Sequence, residues 1–225
     1  PCHFSGSSAG ALVGAMAAAD CSIDQMLDFW LLTKPFQITK VSVSSTGMFR
    51  PEAYTDNLRQ YVPFDCFEAL PHRLSVTATA LVAGEAQVFD KGPLWPIVLA
   101  SAGFPLVFSP VALDGELFLD GGICDNFPVQ LVRVTCDVVV GVDVSPKRDF
   151  TPEYLSTTRG IIERLVDLGY KRDAHQSAAC DVLICPEGIE AFRAFQTSAI
   201  LDVYQLGYAA GCAAIPKIQA AINRS

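Results

Sequence analysis

Histidine is scarce in this chain. His3, His72 and His175 are the three present among 225 residues, and none stands at a spacing that pairs it with other metal ligands. That argues against a zinc cluster, and the paired acidic groups that hold calcium are missing too. No cofactor is implied. Positive charge is also in deficit: 16 Lys and Arg stand against 24 Asp and Glu, for a formal net charge of −8 and a pI of about 4.8. Such a surface disfavours nucleic acid as a partner and anchoring on anionic lipid through a basic patch. No uninterrupted apolar run reaches the ~18 residues needed to cross a bilayer. Yet 51% of the residues are apolar and the mean hydropathy is +0.33. A well-buried α/β core fits that composition, and the length fits one domain over residues 1–225. Finally, the eight cysteines (Cys2, Cys21, Cys66, Cys124, Cys136, Cys180, Cys185 and Cys212) include no C-x-x-C pair. Several lie in apolar runs. They read as free buried thiols in a reducing compartment, which makes a cytoplasmic location the expectation.

What the chain does contain is Gly6-Ser7-Ser8-Ala9-Gly10, a G-x-S-x-G pentapeptide, with a small apolar run from Ala11 to Ala19 behind it. A tight turn feeding a buried helix is the natural reading, with the Ser8 hydroxyl projecting at the helix N-terminus. Gly6 and Gly10 would permit a strained backbone and leave room for a substrate carbonyl. The Ala9 N–H and the positive end of the helix would face a developing oxyanion. An unstructured Ser/Gly loop is the alternative, and the helical run behind the motif argues against it. An elbow of this kind needs a strand ahead of it, and only Pro1 to Ser5 precede Gly6. The expectation is a chain lacking upstream residues.

Further along, Ser22-Ile23-Asp24-Gln25 has capping-box form, followed by Met26, Leu27, Trp30 and Leu31 at helical spacing. Pro51 suits the first turn of a third helix reaching about Tyr61. Residues 73–81 alternate as a strand that turns back through residues 83–89. Residues 95–102 read as a short helix, and Asp114-Gly115 marks a hairpin turn. Residues 137–144 are almost wholly apolar, as in a central parallel strand. A helix from about Pro152 offers Ile161, Ile162, Leu165, Val166 and Leu168 to the core. A strand at residues 181–185 and a helix at residues 198–222 close the chain. Strands separated by helices argue an α/β layered sheet.

A serine nucleophile needs a base. His3 is too close to Ser8 in sequence, His72 sits in a Pro-His-Arg loop, and His175 lies in a charged stretch. Asp120, in Leu119-Asp120-Gly121-Gly122, follows the hairpin strand. It is either a plain Asp-Gly turn or a buried carboxylate able to take the serine proton. Asp125 and Asp143 read as local turn or strand-end residues.

Taken together, Ser8 in its pentapeptide and the D-G-G at Asp120 resemble the patatin-like phospholipases, of bacterial type. The resemblance continues through Thr77-Ala78-Thr79, Gly84-Glu85, the segment from Ala100 to Pro105, Val107-Phe108-Ser109-Pro110, the segment from Asp125 to Val129, and Gly141-Val142-Asp143-Val144-Ser145. A weaker echo follows at residues 181–186 and at Leu206-Gly207-Tyr208. It implies a three-layer α/β/α fold with a mainly parallel central sheet. It also implies Ser8 as nucleophile and Asp120 as general base, supported by Ala9, Gly6, Gly10, Gly121 and Gly122. The reaction implied is hydrolysis of a lipid or fatty-acyl ester through an acyl-enzyme, at a transient membrane or micelle surface. Two departures stand out. The family's glycine-rich oxyanion loop, expected upstream of the serine, is not in this sequence, and Ala80 stands where relatives commonly carry Asp. Three other readings remain open: a Ser8–Asp120–His175 triad of α/β-hydrolase type, a serine–histidine acyltransferase, and a non-catalytic lipid- or protein-binding domain. Phe36, Met48, Phe49, Phe64, Phe67, Leu94 and Trp95 either line an acyl groove or fill the core.

Overall fold

The computed structural model describes residues 1–33, 55–145, 149–170, 176–192 and 196–225. Strand β1 (His3–Gly6) lies parallel to β2 (Arg73–Ala80), with Gly6 opposite Val76. β2 also pairs antiparallel with β3 (Glu85–Phe89) and with β5 (Glu116–Leu119), and β5 pairs antiparallel with β4 (Val111–Leu113). A second, two-stranded parallel sheet joins β6 (Val140–Val142) to β7 (Val182–Ile184).

The expectation of a mainly parallel sheet therefore holds for β1–β2 and β6–β7, and the sheet as a whole is mixed. The reason is local. Short connections can join only antiparallel neighbours, and both hairpins use them. In the second, Asp114 (φ 51°) and Gly115 (φ 85°) take the two left-handed positions of the tight turn.

β2 is the axis of the molecule. Its apolar side chains Leu74 and Val76 pack with α1 (Ala9–Ala18) and α4 (Leu94–Ser101), and Ala78 and Ala80 pack with Ala100, Val111 and Phe118. Ala80, one of the two sequence departures, is thus a wall of an apolar cluster. The hydroxyl face of β2 is buried as well. Ser75 meets His3, Thr77 donates to the Asp125 carbonyl at 3.1 Å, and Thr79 donates to the Asp120 carbonyl at 2.7 Å. Residues 121–133, including α5 (Gln130–Arg133), cover that face, with α7 (Thr158–Tyr170) outside them. This is the three-layer α/β/α arrangement expected from the sequence.

Helix α2 (Ile23–Thr33) starts at the capping box: the Ser22 N–H donates to Gln25 Oε1 at 2.8 Å, and the Gln25 N–H donates to Ser22 Oγ at 3.2 Å. Phe29, which the helical spacing of its neighbours did not single out, is the buried one. Of the third helix, α3 (Thr55–Arg59) is described, and Pro51 lies outside the described residues.

Three expectations need correction. The helix from Pro152 is two helices, α6 (Pro152–Leu155) and α7. Hydroxyls make the break: Thr157 Oγ1 donates to the Tyr154 carbonyl and accepts the Gly160 N–H. Ile161, Leu165 and Leu168 face outward, Leu165 being 62% exposed, while Glu163 is buried with the Tyr154 hydroxyl donating to it at 2.8 Å. The apolar run at residues 137–144 contributes only a three-residue strand of the small sheet, in which Val142 is 56% exposed. An apolar run reports affinity for a core and does not specify its neighbours. The last helix, α8 (Ile200–Ile222), covers β7 through Ala214, Ala221 and Ile218. No described helix is long and apolar enough to cross a membrane.

Candidate active site

Between the end of β1 and the start of α1 lie only Ser7 and Ser8. Ser8 adopts φ 55°, ψ −126°, a conformation L-residues avoid at a cost of order 1–3 kcal/mol. Three hydrogen bonds hold it. The Ser8 N–H donates to Ser101 Oγ at 3.0 Å, the Gly10 N–H to the Ser7 carbonyl at 2.8 Å, and the Ala11 N–H to the Ser8 carbonyl at 3.0 Å. The Ala9 N–H, between these donors at the start of α1, meets no backbone acceptor among the described residues.

The glycines do a different job from the one expected. Neither Gly6 nor Gly10 takes a positive φ; the strain sits on Ser8 itself. A Cβ on Gly6 would strike the Gly10 carbonyl, so Gly6 lets the strand end touch the first helical turn. A Cβ on Gly10 would meet nothing within 4 Å, so no close contact requires a glycine there.

Asp120 follows β5 and caps the 3-10 turn Gly121–Ile123 with its side chain. Ser8 Oγ donates to Asp120 Oδ2 at 2.8 Å, and the Gly122 N–H donates to Oδ1 at 2.8 Å. Its backbone is fixed as well: the N–H donates to the Gly103 carbonyl at 3.2 Å, and the carbonyl accepts from Thr79. Gly121 is required here, because a Cβ would collide with the Thr77 carbonyl. Asp120 is 0% exposed. Burial pushes its carboxyl up to about 6, against the downward pull of the Ser8 and Gly122 hydrogen bonds. The Asp-Gly turn exists, and it buries a carboxyl against the serine.

The described histidines lie elsewhere. His3 is bracketed by Thr135 Oγ1 at 2.8 Å and Ser75 Oγ at 2.9 Å, and burial, then Arg73, lowers its pKa. His72 Nε2 meets Asp20 Oδ1 at 2.8 Å. His175 falls outside the described residues. Asp143 behaves as a local residue, accepting the Ser145 N–H at 2.8 Å, and Asp125 accepts from Gln176 at 3.3 Å. Of the candidate acyl-groove residues, Phe67, Leu94 and Trp95 are buried in the main core and Phe64 packs against it, while Phe36, Met48 and Phe49 lie outside the described residues. None of the eight cysteines is fully buried, contrary to the expectation of buried thiols.

Sequence reasoning missed Ser101 and Thr79. A signal for Ser101 existed, since it is the one hydroxyl in the otherwise apolar segment Leu94–Ser101. It also missed Ser7, whose buried hydroxyl has no hydrogen-bond partner among the described residues.

The fold and site together define an α/β protein whose serine, on a strained strand-to-helix elbow, touches a buried carboxyl without an intervening histidine ring. Residues 1–133 match the description of the patatin-like phospholipase family, and the chain belongs to that family. It is 33% identical over 158 residues to an uncharacterised NTE family protein of Mycobacterium tuberculosis, covering 66% of this chain and 44% of that protein. It is 26% identical over 160 residues to lysophospholipase NTE1 of Kluyveromyces lactis, covering 60% of this chain and 11% of the other. A patatin-like phospholipase domain-containing protein 7 of Rattus norvegicus is 26% identical over 153 residues, covering 63% of this chain and 11% of its own length. The chain thus spans less than half the length of the mycobacterial relative.

Proposed function

We propose that the chain is a serine acyl-ester hydrolase acting on lipids, of the phospholipase A or lysophospholipase type, working through Ser8 and Asp120. One observation carries the reading: the 2.8 Å hydrogen bond from Ser8 Oγ to a fully buried Asp120 carboxylate. A carboxylate with its pKa near 6 is a stronger base than an ordinary one and is still ionised at neutral pH. Ser8 Oγ attacks the acyl carbonyl as Asp120 Oδ2 takes its proton. The oxyanion develops at the N-terminus of α1, where the Ala9 N–H and the helix dipole stabilise it. Collapse releases the alcohol, protonated by Asp120, and leaves an acyl group on Ser8. Asp120 then draws a proton from water, which attacks the acyl-enzyme; collapse frees the acid as Asp120 returns that proton to Ser8 Oγ.

The lipid substrate is supported by the family and by the lysophospholipase name of the fungal relative. The resemblance assigns a second oxyanion donor to a glycine-rich loop.

The test is hydrolysis of medium-chain nitrophenyl esters by the wild type, Ser8→Ala, Asp120→Asn and His175→Ala. The first two variants are expected to lose at least ~10³-fold in rate, with His175→Ala near normal. Activity surviving Asp120→Asn but lost in His175→Ala would replace the dyad with a triad. Acetate turned over as fast as longer acyl chains would remove the lipid.

A further inference from the structure

Cys2 and Cys136 are 134 positions apart in the chain, yet their sulfurs stand 3.8 Å from each other as free thiols. The approach does not depend on two side chains alone. His3 follows Cys2, Thr135 precedes Cys136, and His3 Nδ1 meets Thr135 Oγ1 at 2.8 Å. The other His3 nitrogen is held by Ser75, and Thr135 Oγ1 also donates to the Val132 carbonyl at 3.1 Å. The Cys136 carbonyl accepts from Arg133 Nη2 at 2.6 Å, and the same guanidinium is paired with Asp181. The residues next to the two cysteines are therefore tied to each other, and the Cys136 backbone is held as well. A disulfide needs its sulfurs at about 2.05 Å, so side-chain rotation has under ~2 Å to supply.

We propose that Cys2 and Cys136 form a reversible disulfide site, closed by a hydroperoxide and reopened by a dithiol. Cys2 is the exposed member and meets the oxidant; Cys136 is half-buried and resolves the intermediate. The Cys2 thiolate attacks the peroxide, an S–O bond forms, the O–O bond breaks and the alcohol or water leaves with a proton. Cys136 sulfur then attacks the Cys2 sulfenic acid. The S–S bond forms, the S–O bond breaks, and the hydroxyl departs as water with the Cys136 proton. Two thiols are oxidised by two electrons and one hydroperoxide is reduced.

The bond would clamp the head of β1, six residues ahead of Ser8, to the segment leaving α5. It would close a loop of 134 positions, long enough to restrict the unfolded chain strongly. None of this depends on the hydrolase reading, and the test reads no esterase activity.

The whole chain is treated with hydrogen peroxide, alkylated and digested, and its cysteine peptides are identified by mass. The expected result is a peptide joining Cys2 to Cys136, lighter by two hydrogens than the two apart. The oxidised protein should melt at a higher temperature than the reduced one, and a dithiol should reverse both changes. Cys2→Ser and Cys136→Ser should each abolish the joined peptide and the shift in melting while keeping the native circular dichroism. The proposal is overturned if both residues are recovered as separate peptides after oxidation, or if either joins Cys124, Cys185 or Cys212 instead.

Discussion

In the proposed mechanism, Asp120 is the residue at which stability and chemistry oppose each other. Its carboxyl sits near 6 when folded, against about 3.8 when free in the unfolded chain. Below pH ~4 both states are protonated and nothing is lost. Between the two values the unfolded state gives up its proton first, and folding stability falls as pH rises. Above about 6 the whole cost is present, about 3 kcal/mol. Asp120→Asn is therefore expected to abolish hydrolysis and yet melt higher than wild type at about pH 8, with the gain gone near pH 4; thermal unfolding at the two pH values reads it. The wild-type rate should rise through about pH 6 as the base ionises. Ser7 offers a second residue-level test. Its buried hydroxyl has no partner among the described residues, so Ser7→Ala should cost nothing and stabilise by up to about 1 kcal/mol in denaturant unfolding. The two glycines should differ in the same way. Gly6→Ala has no room and should unfold the elbow, whereas Gly10→Ala should fold normally.

Elements whose signals are local are legible in the amino-acid sequence itself. The Ser22–Gln25 box starts α2 because those two side chains reach nearby N–H groups whatever the rest of the chain does. Ser22→Ala should cost about 1 kcal/mol, measured by urea unfolding. Asp114-Gly115 turns its hairpin for the same local reason. Elements whose role depends on neighbours are not legible in that way. Ile161, Leu165 and Leu168 have core spacing, yet α7 turns them outward and buries Glu163, which accepts from the Tyr154 hydroxyl. The candidate site follows the same division. Ser8 and Asp120 can be read from their motifs, whereas the tie between α4 and the elbow cannot, because Ser101 is 93 positions away from Ser8. Ser101→Ala leaves the strained Ser8 N–H unpaired. Steady-state kinetics should show kcat lower by about 10-fold and KM little changed, since the loss falls on the placement of Oγ.

For the molecule as a whole, β2 buries apolar groups on one face and spends its hydroxyls on the other, so that the same strand supports α1 and steadies Asp120. Alternation along residues 73–81 reveals the strand but not that both faces are covered. The net charge of −8 carries its own consequence. Sedimentation with vesicles should find more protein on zwitterionic than on anionic bilayers, with added salt narrowing the difference. The central claim is that a buried carboxylate activates Ser8 directly, and labelling by a fluorophosphonate tests it most closely. Labelling should map to Ser8 alone, accelerate as pH rises through about 6, and persist in His175→Ala. It should be lost in Asp120→Asn. Equal labelling rates in Asp120→Asn and wild type would contradict the account.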